Sequence, residues 1–169
     1  HYVPKMPQAI ISNDEMESFL GLINDTASKA RRIILRNNKI TSRYYAVDKT
    51  GKSTHSNAEL TQKAIVQLFD ENFTAQDVEV LSCGTSTPDL FLPSHAAMVH
   101  GLLKNKSVEL NSSTGVCCAG MNSLKFGFLS VKSGNSKNAI CTGSEKVSTW
   151  LLAQKYNHET TNLKKTCPK

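Results

Sequence analysis

Residues 111–148 read NSSTGVCCAGMNSLKFGFLSVKSGNSKNAICTGSEKVS, and the rest of the chain is organised around this stretch. Apolar residues recur after Cys118 at steps of three and four, which is helical spacing; they are Met121, Leu124, Phe128 and Val131. Gly134 follows this run and suits the left-handed position that ends a helix. The segment 138–142 has the composition of a short buried strand. The stretch is therefore predicted to form a loop, a helix and a strand.

Cys118 is predicted to lie at or just before the first turn of this helix. The N–H groups of a first turn have no partner within the helix, and the positive end of the helix dipole favours an anion. A thiol in that position tends toward the thiolate, which is the nucleophilic form. The sequence therefore indicates a nucleophilic cysteine at position 118.

The composition indicates a folded domain with a real core. The chain has 169 residues, of which 39% are hydrophobic and 20% charged. No apolar run is long enough to cross a bilayer, so no membrane partner is expected. The net charge is +6, but neither a basic stripe with stacking aromatics nor a known module for nucleic acid is present. The charge is interpreted either as a solvated basic surface or as an attraction for an acidic carrier protein or a nucleotide phosphate.

The five cysteines point to reduced thiols rather than to a metal site. They occupy positions 83, 117, 118, 141 and 167, without a CxxC pair or metal-type Cys/His spacing, so no metal is expected. Cys83 and Cys141 lie in apolar, strand-like runs and are predicted to be small buried side chains. This usage fits a reducing compartment, and the predicted location is cytoplasmic.

Two helix starts upstream carry the spacing of a capping box. Ser12 stands three residues before Glu15, and Ser56 stands three residues before Glu59. The helix that follows Ser12 is expected to bury a set of apolar side chains, namely Met16, Phe19, Leu20 and Ile23.

Strands and helices then alternate along the chain. Strands are predicted at 78–83, 107–110 and 138–142, and helices at 94–104 and 118–133. Pro93 is expected at the first position of the helix over 94–104. This alternation predicts an α/β layered fold.

Two segments carry a family resemblance. The first runs from Val116-Cys117-Cys118-Ala119-Gly120 through Lys132-Ser133-Gly134 to Gly143-Ser144-Glu145, and it resembles the nucleophile region of the ketoacyl-acyl carrier protein synthase III group. The second is the Thr- and Ser-rich loop over 83–94, which ends in Leu-Pro-Ser. That group belongs to the thiolase-like superfamily of condensing enzymes.

The resemblance spans most of residues 1–150 and implies a thiolase-like layered fold. The complete enzyme has layers in the order α/β/α/β/α, and this chain is expected to supply roughly the N-terminal half, with the nucleophile. Residues 151–169 are polar and are expected to begin an insertion or a linker to a C-terminal half.

The resemblance also implies roles for single residues. Cys118, directly before Ala-Gly, matches the acylated cysteine of the family, whereas Cys117 stands where the family more often has a small residue. Ser86 and Leu92 match positions that border the acyl pocket, the latter often contributed by the partner subunit. Arg36 lies in a basic segment where the family holds coenzyme A and is a candidate phosphate contact, although the family's usual turn and tryptophan are absent here; a solvated surface arginine is the alternative.

The implied activity is an acyltransferase reaction, a decarboxylative Claisen condensation in fatty-acid or polyketide biosynthesis. Cys118 would take an acyl group from a coenzyme A or carrier-protein thioester, and a malonyl-carrier thioester would lose carbon dioxide and attack it. These thioesters are substrates, and no cofactor is expected. The expected partners are acyl carrier protein and a second copy of the chain. The family's decarboxylating His and Asn match no position here, so the chain alone is expected to be incomplete for catalysis.

Three other hypotheses remain open from the sequence. The first is another thiolase-like enzyme, of the hydroxymethylglutaryl-coenzyme A synthase or cyclising polyketide synthase type. The second is a non-catalytic fragment or partner subunit that shapes a pocket or a dimer surface. The third is a redox protein that uses Cys117 and Cys118, but adjacent cysteines bridge only with strain.

Overall fold

The computed structural model describes residues 10–157. They divide into two compact units, one formed by His55–Lys146 and the other by residues 10–54 and 147–157. Residues 158–169, which complete the predicted polar segment and include Cys167, lie outside the described residues.

The unit over His55–Lys146 is built on a parallel sheet of three strands. The strands are β3 (Val80–Gly84), β4 (Glu109–Ser113) and β5 (Ala139–Gly143), in the order β4-β3-β5. Every residue of the central strand β3 is buried. The three predicted strands are confirmed, but each begins one or two residues later than predicted and ends one to three residues later. The reason is that backbone pairing, not apolar character, sets a strand's limits, and the ladder continues through the polar residues of β4.

Three helices cover this sheet: α3 (Asn57–Val66), α4 (His95–Leu103) and α5 (Ala119–Lys132). The capping box of Ser56 and Glu59 is present at the start of α3. Pro93 does not begin α4, contrary to the prediction, because Ser94 is the N-cap and its hydroxyl accepts the N–H of Ala97 at 3.3 Å. The core between these elements includes Ile65, Leu81, Val99 and Ile140, together with Ala58, Val78, Cys83 and Ala96.

Helix α5 packs on the sheet through its small residues. The buried positions are Ala119, Ser123, Gly127 and Ser130. The large apolar residues whose spacing predicted the helix are exposed, with Met121 67% and Phe128 59% accessible. A helix with small residues on one side and large apolar residues on the other has two packing faces, and the sheet occupies one of them.

The second unit contains short elements. They are β1 (Ile11–Ser12), α1 (Met16–Leu20), α2 (Arg31–Asn38) and β2 (Ser42–Arg43), with β1 and β2 antiparallel, followed by a 3₁₀ turn over Ala153–Tyr156.

The prediction of a buried first helix in this unit is wrong. Helix α1 has five residues, none of them buried, and Ile23 lies beyond its end. The carboxylate of Glu15 accepts the N–H and hydroxyl of Ser12 at 3.0 and 2.7 Å. This local turn uses the groups that would cap a helix at Ser12, and the helix starts later with Glu15 as its N-cap.

Among the described residues, no helix combines the length and apolar character needed to cross a membrane.

Candidate active site

The functional side chains gather at one edge of the parallel sheet. Gly84, Ser113 and Gly143 end their strands in the same register row, so the segments that follow β3, β4 and β5 leave the sheet at the same edge. The N–H of Ser144 donates to the carbonyl of Gly84 at this edge. Helix α5 begins here as well, because Gly84 and Gly143 both lie close to its first turn. The carboxyl edge of a parallel sheet is where ligands bind in open α/β folds.

Cys118 is the N-cap residue of α5, which confirms its predicted place at the start of the helix. Its side chain is exposed. The side-chain amide of Asn122 donates to its Sγ at 3.9 Å. Gly115 has φ +144°, and a Cβ there would lie 3.3 Å from the same Sγ. The thiol therefore stands at a helix start, open to solvent, with a loop backbone close beside it.

Cys117 is also exposed but occupies a different backbone state. Its φ is +66°, in the left-handed backbone region that residues other than glycine rarely adopt. Cys117 directly precedes Cys118, the N-cap residue of α5. The two adjacent thiols therefore differ in their relation to the N–H groups of α5.

Glycines allow the start of α5 to approach the sheet edge closely. A Cβ at Gly84 would lie 2.2 Å from the carbonyl oxygen of Ala119. Gly120 and Gly143 approach each other in the same way, since a Cβ on either would lie 3.2–3.3 Å from the Cα of the other. One turn further on, Ser82 and Ser123 exchange hydroxyl-to-carbonyl hydrogen bonds at 3.1 and 2.7 Å. Backbone packing therefore fixes Ala119 and Gly120, the first residues of α5, which directly follow Cys118.

Ser86, a predicted pocket residue, lies in the loop after β3 and joins it to the nucleophile segment. Its hydroxyl donates to the carbonyl of Gly115 at 2.9 Å, and its N–H donates to Glu145 Oε1 at 2.7 Å. The structure therefore brings Ser86 and the segment before Cys118 together, although both polar groups of Ser86 are engaged with protein.

Two carboxylates hold this loop. Glu145 also accepts the hydroxyl of Thr87 at 2.8 Å. Asp89 accepts the N–H groups of Asn57 and Ala58 at the start of α3, both at 2.8 Å, and forms an ion pair with Lys146 at 3.2 Å.

Both carboxylates are held in the ionised form. Desolvation raises the pKa of Glu145, but hydrogen bonds from Ser86 and Thr87 outweigh it and the net pKa lies below its ordinary value. Desolvation likewise raises the pKa of Asp89, and the N–H groups of Asn57 and Ala58 together with Lys146 bring it below the ordinary value.

The sequence did not predict these carboxylates as functional residues, although Glu145 lies in the motif that carries the resemblance. The signal available in the sequence was position: a carboxylate directly after one buried strand and a Thr/Ser-rich loop after another meet when the strands are parallel neighbours.

His95 is buried beside the loop that Glu145 and Asp89 hold. None of the hydrogen bonds found among the described residues joins it to Cys118. Its Nε2 lies 3.2 Å from the hydroxyls of both Thr61 and Ser144. Burial lowers the pKa of His95, although Asp89 and Glu145 raise it, and the net direction is downward. Burial therefore favours the neutral ring, which is hydrogen-bonded through Nε2.

Leu92 lies on an exposed tip rather than in a pocket of its own unit. Phe91 is 97% and Leu92 83% accessible, and Leu90 next to them is exposed. Three consecutive exposed apolar residues are typical of an interaction surface.

Arg36 lies in the other unit, in the last turn of α2, with an exposed side chain. It lines a cleft of about 760 Å³ with three further cations, Arg31, Arg32 and Lys39, and with Asp14. Arg31 is paired with Glu17 at 2.9 Å. The cluster makes the cleft electropositive, which suits an anionic group.

A second cleft in that unit, of about 670 Å³, is mainly apolar. Its lining includes Met16, Leu20 and Ile23, three of the residues predicted to be buried, together with Leu22, Ile34, Leu35 and Leu151. These side chains therefore face a cleft rather than a closed core.

The prediction for the two strand cysteines is confirmed for Cys83, which is fully buried, and Cys141 is half buried. Burial raises the pKa of the Cys83 thiol to about 11 and also raises the pKa of Cys141. Neither is a nucleophile near neutral pH.

Comparison with known proteins relates the chain to condensing enzymes. It is 29% identical to β-ketoacyl-[acyl-carrier-protein] synthase III of Rickettsia massiliae and 31% identical to that of Rickettsia typhi, each over 146 residues. These matches cover 86% of this chain and 43% of each relative, so the chain spans less than half the length of the curated relatives it matches. No protein-family model matches the chain.

Solved structures show the fold. AbyA1, a tetronic acid condensing enzyme, superposes with a TM-score of 0.74 at 20% identity, over 91% of this chain and 47% of that one. The 3-oxoacyl-[acyl-carrier-protein] synthase III of Aquifex aeolicus superposes with a TM-score of 0.67 at 24% identity, over 87% and 43%. The chain therefore has a thiolase-like α/β fold. It is a homologue of the β-ketoacyl-[acyl-carrier-protein] synthase III enzymes named above, and the match is consistent with the N-terminal half of those enzymes.

Proposed function

We propose that this chain is the nucleophile-bearing part of a decarboxylating condensing enzyme. The Cys118 thiolate attacks the carbonyl of an acyl thioester, forms an acyl-cysteine and releases the thiol of coenzyme A or of a carrier. A malonyl-carrier thioester then loses carbon dioxide, and its carbanion attacks the acyl group. The new carbon–carbon bond forms as the bond to Sγ breaks. The N–H of Cys118 acts as one oxyanion donor.

One observation carries this proposal: an exposed thiol at the N-cap of α5, at the carboxyl edge of the sheet. Homology to named condensing enzymes supports the reaction class. The thioesters enter as substrates and no cofactor takes part. The proposed setting is cytoplasmic fatty-acid or polyketide synthesis with acyl carrier protein as partner.

The test is carbon dioxide release from a malonyl-carrier thioester by the gene product that carries this chain, after loading with an acyl-coenzyme A. Steady turnover is expected from the gene product and none from residues 1–169 alone, because the family's decarboxylating His and Asn have no counterpart here. Removal of one oxyanion donor alone lowers acyl-transfer rates on the order of a hundredfold. Turnover by residues 1–169 that Cys118→Ala abolishes would contradict the half-enzyme proposal.

The exposed apolar face of α5 is the second reason to expect this incompleteness. Met121, Leu124, Phe128 and Leu129 are all exposed on one helix. We propose that this face is covered by the part of the protein that corresponds to the remaining length of the relatives.

Arg36 is proposed as a contact for a phosphate of coenzyme A or of the carrier's phosphopantetheine. Its support is the cluster of cations around the same cleft. The cluster and not Arg36 alone provides the attraction, so the binding of an anion there is expected to weaken with salt.

The working protein is proposed to be a homodimer in which Leu92 lies against the partner subunit and borders its acyl pocket. Leu92→Glu is expected to weaken the dimer at least about tenfold, because a charge would be buried where an apolar tip was. Light scattering over micromolar concentrations measures this. Leu68→Glu is the matched control, since Leu68 is also an exposed leucine, at 55% accessibility, in the same unit. A monomeric wild type, or equal effects of the two variants, would contradict the proposal.

A different thiolase-like reaction is the alternative function. A cyclising condensation is considered because a tetronic acid condensing enzyme shares this fold, and at 20% identity that likeness concerns the fold and not the reaction. Product analysis in the assay above separates the two: a linear β-ketoacyl carrier thioester supports the first proposal, and a released ring supports the second.

A further inference from the structure

We propose that Glu145 is a positioning residue for the nucleophile segment: its carboxylate holds Ser86, and Ser86 holds Gly115 beside the Cys118 thiol. This inference rests on the proposed function for its consequence in catalysis, but its geometry and its test concern the thiol itself.

The first link joins the segments after two neighbouring strands. Glu145 follows β5 by two residues, and Ser86 follows β3 by two residues. The two oxygens of Glu145 accept separately, Oε1 from the Ser86 N–H at 2.7 Å and Oε2 from the Thr87 hydroxyl at 2.8 Å. The carboxylate therefore fixes the direction of the Ser86 backbone with charge-assisted hydrogen bonds.

The second link passes from Ser86 to the nucleophile segment. The Ser86 hydroxyl donates to the Gly115 carbonyl at 2.9 Å. Gly115 in turn lies against the thiol, since a Cβ on it would be 3.3 Å from Cys118 Sγ. A shift of Ser86 therefore moves the backbone that borders the reactive sulfur.

The segment between Gly115 and α5 requires a restraint such as the Ser86–Gly115 hydrogen bond. Val116, Cys117 and Cys118 are all exposed, so burial does not fix them. Cys117 has φ +66°, a strained backbone that persists only where its surroundings determine it. The Ser86–Gly115 bond is a described contact that restrains this strained segment from outside the helix.

The same carboxylate could instead contribute only to stability, and the reactivity of Cys118 separates the two roles. In the full gene product, Glu145→Ala and Ser86→Ala are each expected to slow alkylation of Cys118 by iodoacetamide at least about fivefold, because the segment relaxes and the thiol leaves the helix cap. The double variant is expected to be no slower than either single one, since both break one chain of contacts. Glu145→Gln keeps an oxygen that accepts the Ser86 N–H and is expected to restore most of the rate.

A matched control lies at the opposite edge of the same sheet. Glu79 precedes β3, and its carboxylate accepts the N–H of Lys137 at 2.7 Å, just before β5. Glu79→Ala removes the same type of bond between the same two strands and is expected to leave the alkylation rate unchanged. The thermal unfolding midpoint of each variant is measured, so that alkylation rates are compared at a temperature where every variant is folded.

An unchanged or faster alkylation rate in Glu145→Ala, with a lowered unfolding midpoint, would overturn the proposal and leave a structural role. If Glu145→Ala does not fold, Ser86→Ala decides by the same criterion. Alkylation requires no condensation, so a wild type that alkylates normally but does not condense would contradict the proposed function and not this inference.

Discussion

Cys118→Ala is expected to abolish the acyl adduct and to lower condensation by at least about 10⁴-fold, whereas Cys117→Ala is expected to retain most of both. The magnitude follows from other acyl-transfer enzymes, in which loss of the nucleophile costs on the order of 10⁶ in rate. Of the two cysteines, only Cys118 is the N-cap residue of α5, and its Sγ accepts a hydrogen bond from the side-chain amide of Asn122. Cys117 lies one residue earlier, in a left-handed backbone state.

The measurement is incubation of the gene product with an acyl-coenzyme A, followed by intact mass and peptide mapping. Cys117→Gly is a useful second control, because glycine removes that thiol and also tolerates φ +66° without strain. An adduct that survives Cys118→Ala and disappears in Cys117→Ala would reverse the assignment.

The placement of Cys118 could be predicted because local signals and global fold agree there. The three- and four-residue spacing after Cys118 marks the helix, and Gly134, with φ +77°, ends it as predicted. A helix boundary flanked by small residues is determined by a few neighbouring positions, and these are visible in the sequence.

The contacts of the site could not be predicted in the same way, because they join residues far apart in the chain. Ser86 and Glu145 are 59 positions apart, and Ser86 and Gly115 are 29 positions apart. These pairs meet only because β3 lies between β4 and β5, and strand order is not visible in a single sequence. The resemblance supplied Ser86 as a pocket residue but not the carboxylate that holds it.

Burial was predicted least well where apolar periodicity stood in for packing. Periodicity shows that a helix has an apolar face and does not show what covers that face. In α5 the large apolar face is exposed, and the sheet contacts the small residues around Ser123 and Gly127 instead. In α1 the apolar residues Met16 and Leu20 line an open cleft, so the same pattern led to a wrong prediction.

Gly84→Ala is the substitution expected to damage the site most without touching a reactive group. A Cβ at Gly84 would lie 2.2 Å from the carbonyl oxygen and 2.4 Å from the carbonyl carbon of Ala119. These are backbone atoms of the first turn of α5, so the conflict cannot be relieved by a side-chain rotation. Either the end of β3 or the start of α5 must move.

We expect this change to lower the free energy of unfolding by at least about 3 kcal/mol, at the upper end of overpacking effects. It should also slow acylation of Cys118, because the turn that moves carries the thiol. Denaturation by urea, with adduct formation measured on the folded variant, tests both. Gly101→Ala is the control: Gly101 lies within α4, and a methyl group added there would meet no atom within 4 Å, so alanine is expected to raise stability by about 0.5–1 kcal/mol. If Gly84→Ala were as mild as this control and left acylation unchanged, the close approach of α5 to β3 would not be what places the nucleophile.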